Sequence, residues 1–372
     1  MADSELRDRF LNILHGKAVD KVPVLSVTQT GTVELMEKSG AAWPEAHFDA
    51  EKMADLALSA HTLAGLEAVR YPFCLTVLSE ALGCRVNPGR YDIQPSPGSS
   101  PFAKKPEELE LPQDFAERGR IPLIADVTSI LREKAGEEVP LIAGMEGPAS
   151  LASRLLGTYN FLTWIIRKPE TLRECLKVTG LICSEYTGIL SEAGADAVCI
   201  VDGIAGPDML DPRHFDALIK PKYERLCRSG KGMKLIHVCG NSTPILETLS
   251  ECGFQGISIE EKVTDLRAAK KLVGKRTKLI GNISSSGVML NGTCEEIKGE
   301  AQKCLLEGID ILAPGCGIAP KTPTKNIKAL VEARDEYYHP RYYPSYHPSF
   351  ASRISLREHE VLFAALKRTN FR

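Results

Sequence analysis

Residues 234–261, KLIHVCGNSTPILETLSECGFQGISIEE, contain one complete strand-helix-strand unit of the chain. The apolar run at 234–239 predicts a buried strand, and the segment 243–253 has the apolar spacing of a helix and ends on glycine, a common helix C-cap. A second short apolar run follows at 256–260. Two strands joined through a helix favour parallel pairing, so this stretch predicts a βαβ unit.

Seven more apolar runs of this type, rich in β-branched residues, give a total of eight along the 372 residues. The predicted strands are Val22–Val27, Ala68–Phe73, Val139–Met145, Ala197–Val201, Lys234–Cys239, Gly256–Glu260, Lys278–Ile283 and Ile309–Ala313. Helix-like segments lie between them, among them 131–136, 214–230, 243–253, 264–274 and 294–308, and an N-terminal helix is predicted at Glu5–His15. Eight alternations in a chain of this length predict an α/β fold, the (β/α)8 TIM barrel. The alternative is a doubly wound open sheet, which is disfavoured because no GxGxxG follows the first strand.

Two regions depart from this alternation. Residues 86–120 are rich in Pro, Gly and Ser and have no clear period, which predicts an insertion near the barrel mouth. The tail from His339 has six Lys/Arg against two acids, a Pro/Tyr-rich start typical of a linker, and a possible helix at Leu356–Leu366. We expect residues 1–338 to form the barrel and residues 339–372 to lie outside its core.

Composition excludes several classes of protein. The chain is 43% apolar and 25% charged with a net charge of −2, a balance that suggests neither a nucleic-acid partner nor a membrane surface. No run of about 18 apolar residues occurs, and the N-terminus MADSELRDRF is charged, so we expect a cytoplasmic protein. Nine of the eleven cysteines are scattered through apolar segments, as is typical of reduced, buried thiols. Cys239 and Cys316 differ because turn-forming residues surround each of them.

The ends of the predicted strands carry polar and metal-binding side chains. Because the carboxyl ends of barrel strands meet at one rim, we expect these side chains to lie close together. They are Thr28, Gln29, Tyr71, Glu146, Asp202, His237, Cys239, Glu260, Glu261, Asn282 and Cys316.

His237 and Cys239 are two residues apart on a strand, so they project to the same face and can share one ion. Such a pair alone more often fills a core, but Cys316, flanked by glycines in APGCGIAP, favours a metal site. Three protein ligands with one open position are typical of catalytic zinc. The predicted fifth and eighth strands are not neighbours, so the loop after the eighth must fold over the mouth.

Several segments carry a resemblance to a known family. They are VPVLSVTQTG (22–31), GAAWPEAH (40–47), GMEGP (144–148), HVCGN (237–241), SIEEK (258–262), GNIS (281–284) and APGCGIAP (313–320). Over about Leu6 to Tyr338 the chain resembles the methylcobamide:coenzyme M methyltransferases of methanogenic archaea, within the uroporphyrinogen decarboxylase-like barrels. The decarboxylase branch has an arginine-rich motif near the N-terminus, whereas this chain has SVTQTG, so the resemblance does not favour porphyrinogen decarboxylation.

The resemblance implies a function and its cofactor. One zinc ion per chain, bound by His237, Cys239 and Cys316, would activate the thiol of coenzyme M. The methyl donor would be a methylcobamide on a corrinoid protein that docks at the barrel mouth, and the product would be methyl-coenzyme M for methanogenesis. Two alternatives stay open: another acceptor, such as tetrahydrofolate or a different thiol, and a barrel that binds a corrinoid or tetrapyrrole without turnover.

Three acids at strand ends are candidate catalytic residues. Glu260 is expected to occupy the open zinc position until the thiol binds; the alternative is an exposed acid at the start of a loop. Glu146 and Asp202 are expected to orient zinc ligands or to line the corrinoid surface. The alternative for both is an acid near a helix N-terminus, where it interacts with the helix dipole.

Three further residues are candidates for binding the cofactor or substrate. Asn282 is a candidate hydrogen-bond donor to the sulfonate of coenzyme M, and Arg70 a candidate source of positive charge for it. Tyr71 is a candidate cofactor contact, with packing as its alternative.

Overall fold

A parallel sheet of seven strands forms the centre of the computed structural model, which describes residues 5–338. The strands pair in chain order, and each aligns with the next in parallel register, as Val201 does with His237 and Asn282 with Ala313. They are β1 (Val69–Tyr71), β2 (Leu141–Glu146), β3 (Ala197–Val201), β4 (Met233–His237), β5 (Gly256–Ile259), β6 (Lys278–Ile283) and β7 (Ile311–Pro314).

The segment around Val24 closes the sheet into a barrel. The backbone N–H of Leu25 donates to Leu312 O (3.1 Å), and the N–H of Leu312 donates to Pro23 O (3.0 Å). On the other side, the N–H of Glu67 donates to Val24 O (2.8 Å). The first predicted strand, Val22–Val27, is thus a single bridge in the structure, in part because Pro23 has no N–H to donate to a ladder. The predicted TIM-barrel fold is confirmed.

Helices connect successive strands and form the outer layer. They are α1 (Leu6–Leu14), α2 (Val33–Ser39), α3 (Ala50–Thr62), α4 (Val77–Ala81), α5 (Ile121–Ala135), α6 (Pro148–Leu156), α7 (Thr158–Arg167), α8 (Pro169–Glu192), α9 (Pro212–His214), α10 (Lys220–Cys227), α11 (Leu246–Glu251), α12 (Leu266–Val273), α13 (Val288–Asn291), α14 (Cys294–Leu306) and α15 (Thr324–Tyr338). The predicted helix at 214–230 is broken into α9, a π-helical turn at Phe215–Ile219 and α10. Pro221, which has no N–H for a normal helical hydrogen bond, lies two residues after this turn, in the first turn of α10.

Alternating residues along each strand fill two separate apolar cores. The barrel interior contains side chains such as Leu235, Ile280 and Ile311, packed above Phe10 and Leu14 of α1. The intervening strand residues, such as Ile236 and Leu279, pack against the helices. Because side chains alternate along a strand, every second residue faces the barrel interior. The inward-facing residues at the carboxyl ends of the strands therefore lie at the barrel mouth.

The predicted insertion at 86–120 lies between α4 and α5, in the connection that follows β1. It contains a two-stranded ribbon, Val86–Asn87 with Ser96–Pro97, and three single 3-10 turns. The predicted tail 339–372, including Leu356–Leu366, lies outside the described residues. Among residues 5–338, every helix is too short or too polar to span a bilayer.

Candidate metal centre

Four side chains with metal-binding atoms meet at the carboxyl ends of the strands. His237, Cys239, Glu260 and Cys316 each present one ligand atom, and these four atoms all lie within 4.8 Å of one another. His237 is fully buried and the two cysteines are partly buried. The structure therefore brings together the three predicted zinc ligands and the predicted fourth.

The strand β4 delivers two of the four atoms. His237 is its last residue and continues the inward-facing series that includes Leu235. Cys239 follows two residues later, beyond the end of the strand, with its Sγ 3.5 Å from His237 Nε2. Gly203 lies against this sulfur, since a Cβ built on Gly203 would be 3.3 Å from Cys239 Sγ. His237 is thus placed by the strand, and Cys239 by the two residues of chain that follow it.

A serine on the adjacent strand contacts the other nitrogen of the histidine ring. His237 Nδ1 lies 3.1 Å from Ser258 Oγ, and Ser258 is fully buried on β5. This contact leaves Nε2 directed towards Cys239 and available to a metal ion. Hydrogen bonds of this kind set which nitrogen of a metal-binding histidine carries the proton.

Cys316 reaches the cluster from the loop that follows β7. Ser285 Oγ accepts from Cys316 N (3.0 Å) and donates to Cys316 O (2.9 Å). Two residues further on, Ile318 N donates to Gln29 O (2.9 Å) and Gln29 Nε2 donates to Ile318 O. The loop after the last strand is therefore folded over the mouth, as the spacing of the predicted ligands requires.

Glu260 is the first residue after β5. Burial raises the pKa of its carboxyl, and the nearby Cys316 sulfur raises it further. Lys262 Nζ lies 3.9 Å from Glu260 Oε2 and 3.8 Å from Asp208 Oδ2. The Glu260 carboxylate thus has the other three metal-binding side chains on one side and the exposed Lys262 ammonium group on the other.

The two thiols of the cluster affect each other's protonation. Their hydrogen bond lowers the pKa of Cys316, against the opposing effect of burial. The same contact, together with burial, raises the pKa of Cys239. The contact therefore favours the thiolate at Cys316 and the thiol at Cys239, and a cation that binds both as thiolates must displace the proton of Cys239.

The donor set fits zinc. Zinc takes thiolate sulfur at ~2.3 Å and imidazole nitrogen at ~2.0 Å in a tetrahedron, which places neighbouring ligand atoms ~3.5 Å apart. The observed separation of His237 Nε2 and Cys239 Sγ is 3.5 Å, and all four atoms lie within 4.8 Å of one another. One nitrogen, two sulfurs and a carboxylate oxygen that can be replaced match a catalytic rather than a structural site.

Asp202 and Glu146 are buried near the mouth, but their carboxylates are engaged elsewhere. Asp202 accepts hydrogen bonds from Ala149 N (3.0 Å), Ser150 N (2.7 Å) and Tyr223 Oη (2.9 Å). Burial raises its pKa, and these hydrogen bonds oppose the shift. Asp202 therefore interacts with the N-terminus of α6, as in the alternative of an acid near a helix N-terminus.

Glu146 ends β2 and is 1% exposed. Its Oε1 accepts from Ser79 N (3.3 Å), and its Oε2 lies 3.0 Å from Arg154 Nε. Burial raises its pKa to about 7, despite the opposing charge of Arg154. The structure does not place this carboxylate among the four metal-binding side chains.

The predicted cofactor and sulfonate contacts are not presented to the mouth. Tyr71 faces the outer layer, where its Oη lies 2.7 Å from Thr128 Oγ1 of α5. Arg70 is 1% exposed and donates to the backbone oxygens of Val27 and Pro72, and burial lowers its pKa to about 10. Both side chains are therefore held within the fold.

Asn282 is also occupied by the protein itself. Its Nδ2 donates to Glu260 O (3.4 Å) and Val263 O (3.0 Å), and its Oδ1 accepts from Cys304 Sγ (3.2 Å). These contacts hold the loop that carries Glu260. Because its donor nitrogen already serves two carbonyl groups, Asn282 is not a free donor for a sulfonate.

Sequence reasoning did not identify Ser258, Ser285 or Lys262. Ser258 precedes Glu260 by two residues on a predicted strand, so strand period alone would have directed it to the same face. Ser285 follows the predicted seventh strand within ISSSG, where nothing in the pattern separates it from its serine neighbours. Its contact with Cys316 joins residues 31 positions apart and depends on the folded loop.

Comparison with known proteins agrees with this architecture. The uroporphyrinogen decarboxylase (URO-D) family model matches residues 5–337. The methylcobamide:CoM methyltransferase MtaA of Methanosarcina barkeri is 47% identical over 91% of this chain and 100% of its own length. The methylcobamide:CoM methyltransferase MtbA of Methanosarcina acetivorans is 35% identical over 91% of this chain and 99% of its own.

A solved structure described as a methyltransferase from Methanosarcina mazei is 47% identical to this chain. It superposes with a TM-score of 0.88 over 90% of this chain and 100% of its own. Fold, family model and relatives agree over the whole barrel. The chain therefore belongs to the uroporphyrinogen decarboxylase family and, within it, to the methylcobamide:CoM methyltransferases.

Proposed function

We propose that this enzyme transfers a methyl group from a methylated corrinoid to the thiol of coenzyme M and uses one zinc ion to do so. The observation that carries the proposal is the convergence of His237, Cys239, Glu260 and Cys316, with all ligand atoms within 4.8 Å. The relatives named methylcobamide:CoM methyltransferases support this choice of donor and acceptor.

The residues of the cluster have distinct roles in this reaction. Zinc, when bound, supplies the positive charge that removes the proton from an incoming thiol near neutral pH. Cys239 and Cys316 contribute two thiolates that offset this charge, so the substrate sulfur stays electron-rich and reactive. His237 completes the three fixed ligands and leaves the fourth position to be exchanged.

Glu260 is the group that we assign to the exchangeable position. It lies after β5, adjacent to the strand that carries His237, and its carboxylate oxygen is within 4.8 Å of the other three ligand atoms. With zinc held in the cluster, this carboxylate would give way to an incoming thiolate. The Lys262 ammonium, 3.9 Å from Glu260 Oε2, offers a charge partner for the displaced group.

Methyl transfer then proceeds by displacement at carbon. The substrate thiolate attacks the methyl group, the cobalt–carbon bond breaks, and its electron pair stays on cobalt. The products are methyl-coenzyme M and a Co(I) corrinoid, and the thiol proton passes to solvent. The corrinoid supplies the leaving-group chemistry, while the protein aligns sulfur, carbon and cobalt at the barrel mouth, where the corrinoid protein docks.

The experiment that tests this proposal combines zinc content with thiol consumption. Full-length protein is analysed for zinc and assayed with methylcobalamin and coenzyme M, beside the variants Cys316→Ala and Cys252→Ala. Cys252 is a matched control because it is a buried cysteine in the cap of α11, outside the cluster. We expect Cys316→Ala to lose zinc and thiol consumption and Cys252→Ala to keep both. Stoichiometric zinc with no loss of coenzyme M thiol would refute the proposal.

X-ray absorption at the zinc edge tests the role of Glu260. In protein without thiol, we expect one first-shell oxygen or nitrogen neighbour to be lost or lengthened in Glu260→Gln, because an amide is a weaker ligand than a carboxylate. On adding coenzyme M to wild-type protein, a third sulfur should replace that neighbour. An unchanged first shell in Glu260→Gln would exclude Glu260 as the resting ligand.

A further inference from the structure

Three of the four metal-binding side chains come from neighbouring strands. His237 ends β4, Cys239 follows β4 by two residues, and Glu260 follows β5 by one. Cys316 also follows its strand by two residues, but that strand, β7, is separated from β4 by β5 and β6 in the sheet. The contacts that direct its loop across the mouth therefore help to fix the position of its sulfur.

Ser285 makes the contacts with Cys316 itself. Its hydroxyl accepts from Cys316 N at 3.0 Å and donates to Cys316 O at 2.9 Å, so one side chain binds both backbone polar groups of the ligand residue. Ser285 is 6% exposed and lies two residues beyond the end of β6, the strand next to β7. Rotation of the Cys316 backbone would break both hydrogen bonds.

Gln29 holds the same loop from the opposite side. It forms two hydrogen bonds with Ile318, one through its backbone oxygen (2.9 Å) and one through Nε2. Gln29 Oε1 is fixed in turn by Gly31 N at 2.7 Å. The side chain is 7% exposed, so solvent competes little for these bonds.

The glycines on both sides of Cys316 allow this close approach. A Cβ on Gly315 would lie 3.0 Å from Glu260 Cα, and one on Gly317 would lie 3.1 Å from Gln29 Cγ. The backbone of the loop thus packs directly against the residue that carries the fourth ligand. Both positions need glycine because there is little room for a side chain. Backbone angles are not the reason, since neither glycine has a positive φ.

We infer that Ser285 is a positioning residue for the metal centre, with Gln29 as its counterpart, and that together they fix the Cys316 sulfur before a metal ion binds. The inference rests on the proposed function, because it assigns these residues to the same zinc site. A ligand that is already in place does not have to be ordered when the ion arrives, so the site binds metal more tightly. Removing a contact of this kind typically weakens metal binding by ~10-fold to ~100-fold.

Metal binding by the full-length, metal-free protein tests the inference without reference to turnover. Zinc affinity is measured by competition with a chromophoric chelator, and Co(II) binding by the thiolate-to-cobalt charge-transfer absorbance per bound ion. We expect Ser285→Ala to lower zinc affinity at least ~10-fold and to reduce the charge-transfer absorbance towards that of Cys316→Ala. Ser285→Thr, which keeps the hydroxyl, should restore both.

Ser286→Ala is the matched control, because Ser286 is the next residue and is exposed. It should bind both ions as the wild type does. Gln29→Glu, which lacks the donor to Ile318 O, gives a second, independent variant if Ser285→Ala does not fold. The inference would be overturned if Ser285→Ala kept the zinc affinity and the charge-transfer absorbance of the wild type. The same holds for Gln29→Glu if that variant is measured instead. A wild-type protein that binds no zinc would instead overturn the proposed function, and this inference with it.

Discussion

The Nδ1 atom of His237 lies 3.1 Å from the Oγ atom of Ser258, and the two residues are direct register partners on neighbouring strands. Both are fully buried. A metal ion on Nε2 leaves the ring proton on Nδ1, which then donates to the serine oxygen. The barrel register therefore sets the orientation of the imidazole that we assign to zinc, and the serine accepts the proton of the metal-binding tautomer.

Ser258→Ala should weaken zinc binding, because the imidazole loses the group that fixes its orientation. We expect a fall in affinity of ~10-fold to ~100-fold, measured by competition with a chromophoric chelator. Ser59→Ala is the control, since Ser59 is a buried serine of α3 whose hydroxyl donates to Leu56 O. Equal affinities for Ser258→Ala and wild type would show that packing alone orients His237.

Gly315→Ala should also weaken zinc binding, but by steric crowding rather than by the loss of a hydrogen bond. The added methyl would lie 3.0 Å from Glu260 Cα and 3.4 Å from Glu261 N, both backbone atoms that cannot move aside easily. The loop must shift, and Cys316 shifts with it, so we expect a loss of at least ~10-fold in zinc affinity by the same competition assay.

Gly299→Ala is the matched control for this substitution. Gly299 lies within α14, and a Cβ there would meet nothing within 4 Å. It should keep wild-type zinc affinity and raise the free energy of unfolding by up to ~1 kcal/mol, because alanine favours helix over glycine. Unchanged zinc binding in Gly315→Ala would mean that the loop accommodates the methyl group.

The barrel could be predicted because its signal is local and repeated. Strands such as Ala197–Val201 and Lys278–Ile283 agree with the structure at both ends, since their apolar runs stop where the buried layer stops. The extent of the first strand could not be predicted correctly. The apolar run at Val22–Val27 has the pattern of a strand, but Pro23 and the geometry of barrel closure leave only a bridge at Val24.

The metal cluster could be predicted in part for a similar reason. His237 and Cys239 are two residues apart on a predicted strand, so the strand period predicts their proximity, although β4 itself ends at His237. Cys316 was indicated by its glycine neighbours after the predicted eighth strand, but its contact with Ser285 joins two loops that only the folded chain brings together. Strand-end position wrongly favoured Tyr71 for the mouth, because a residue at the end of a strand faces outward as often as inward; Tyr71 contacts Thr128 instead.

Asp202 should matter for stability rather than for metal binding. Its carboxylate accepts three buried hydrogen bonds, two from the first turn of α6 and one from Tyr223. Asp202→Ala leaves these donors without a partner, which costs ~1–3 kcal/mol for each buried group. Chemical denaturation should therefore show a markedly lower free energy of unfolding for Asp202→Ala.

Zinc affinity of the folded Asp202→Ala protein should remain within ~3-fold of wild type, well under the ~10-fold loss typical of a group that orients a metal ligand. Asp208→Ala serves as control, because Asp208 is an acid of the same connection and its ion pair with Lys262 is 3.8 Å long and exposed. It should unfold as the wild type does. A selective loss of zinc in Asp202→Ala at unchanged stability would return Asp202 to the metal site.

Cys74 should make stability depend on pH. The thiol is 1% exposed, and its sulfur accepts from Arg120 Nη1 (3.4 Å) and Thr76 Oγ1 (3.3 Å). Burial alone would raise the pKa of Cys74, but the neighbouring His47 and Arg120 lower it to about 5. In the unfolded chain a cysteine has a pKa of about 8.5. The folded protein therefore favours the thiolate over a wide range of pH.

The sign of the effect follows from proton counting. Between pH 5 and about 8.5 the unfolded chain holds a proton that the folded thiolate lacks, so stability rises with pH, by at most about 1.4 kcal/mol per unit. This contribution is complete above about pH 8.5 and is lost as the pH falls towards 5. Cys74→Ser removes the titrating group. Glu146, whose pKa of about 7 acts in the opposite direction, is present in both proteins, and the Cys74 charge makes only a small contribution to its pKa beside that of burial. The difference in unfolding free energy between wild type and Cys74→Ser, measured by denaturation from pH 5 to 9, should therefore grow with pH. A constant difference would show that Cys74 stays protonated in the fold.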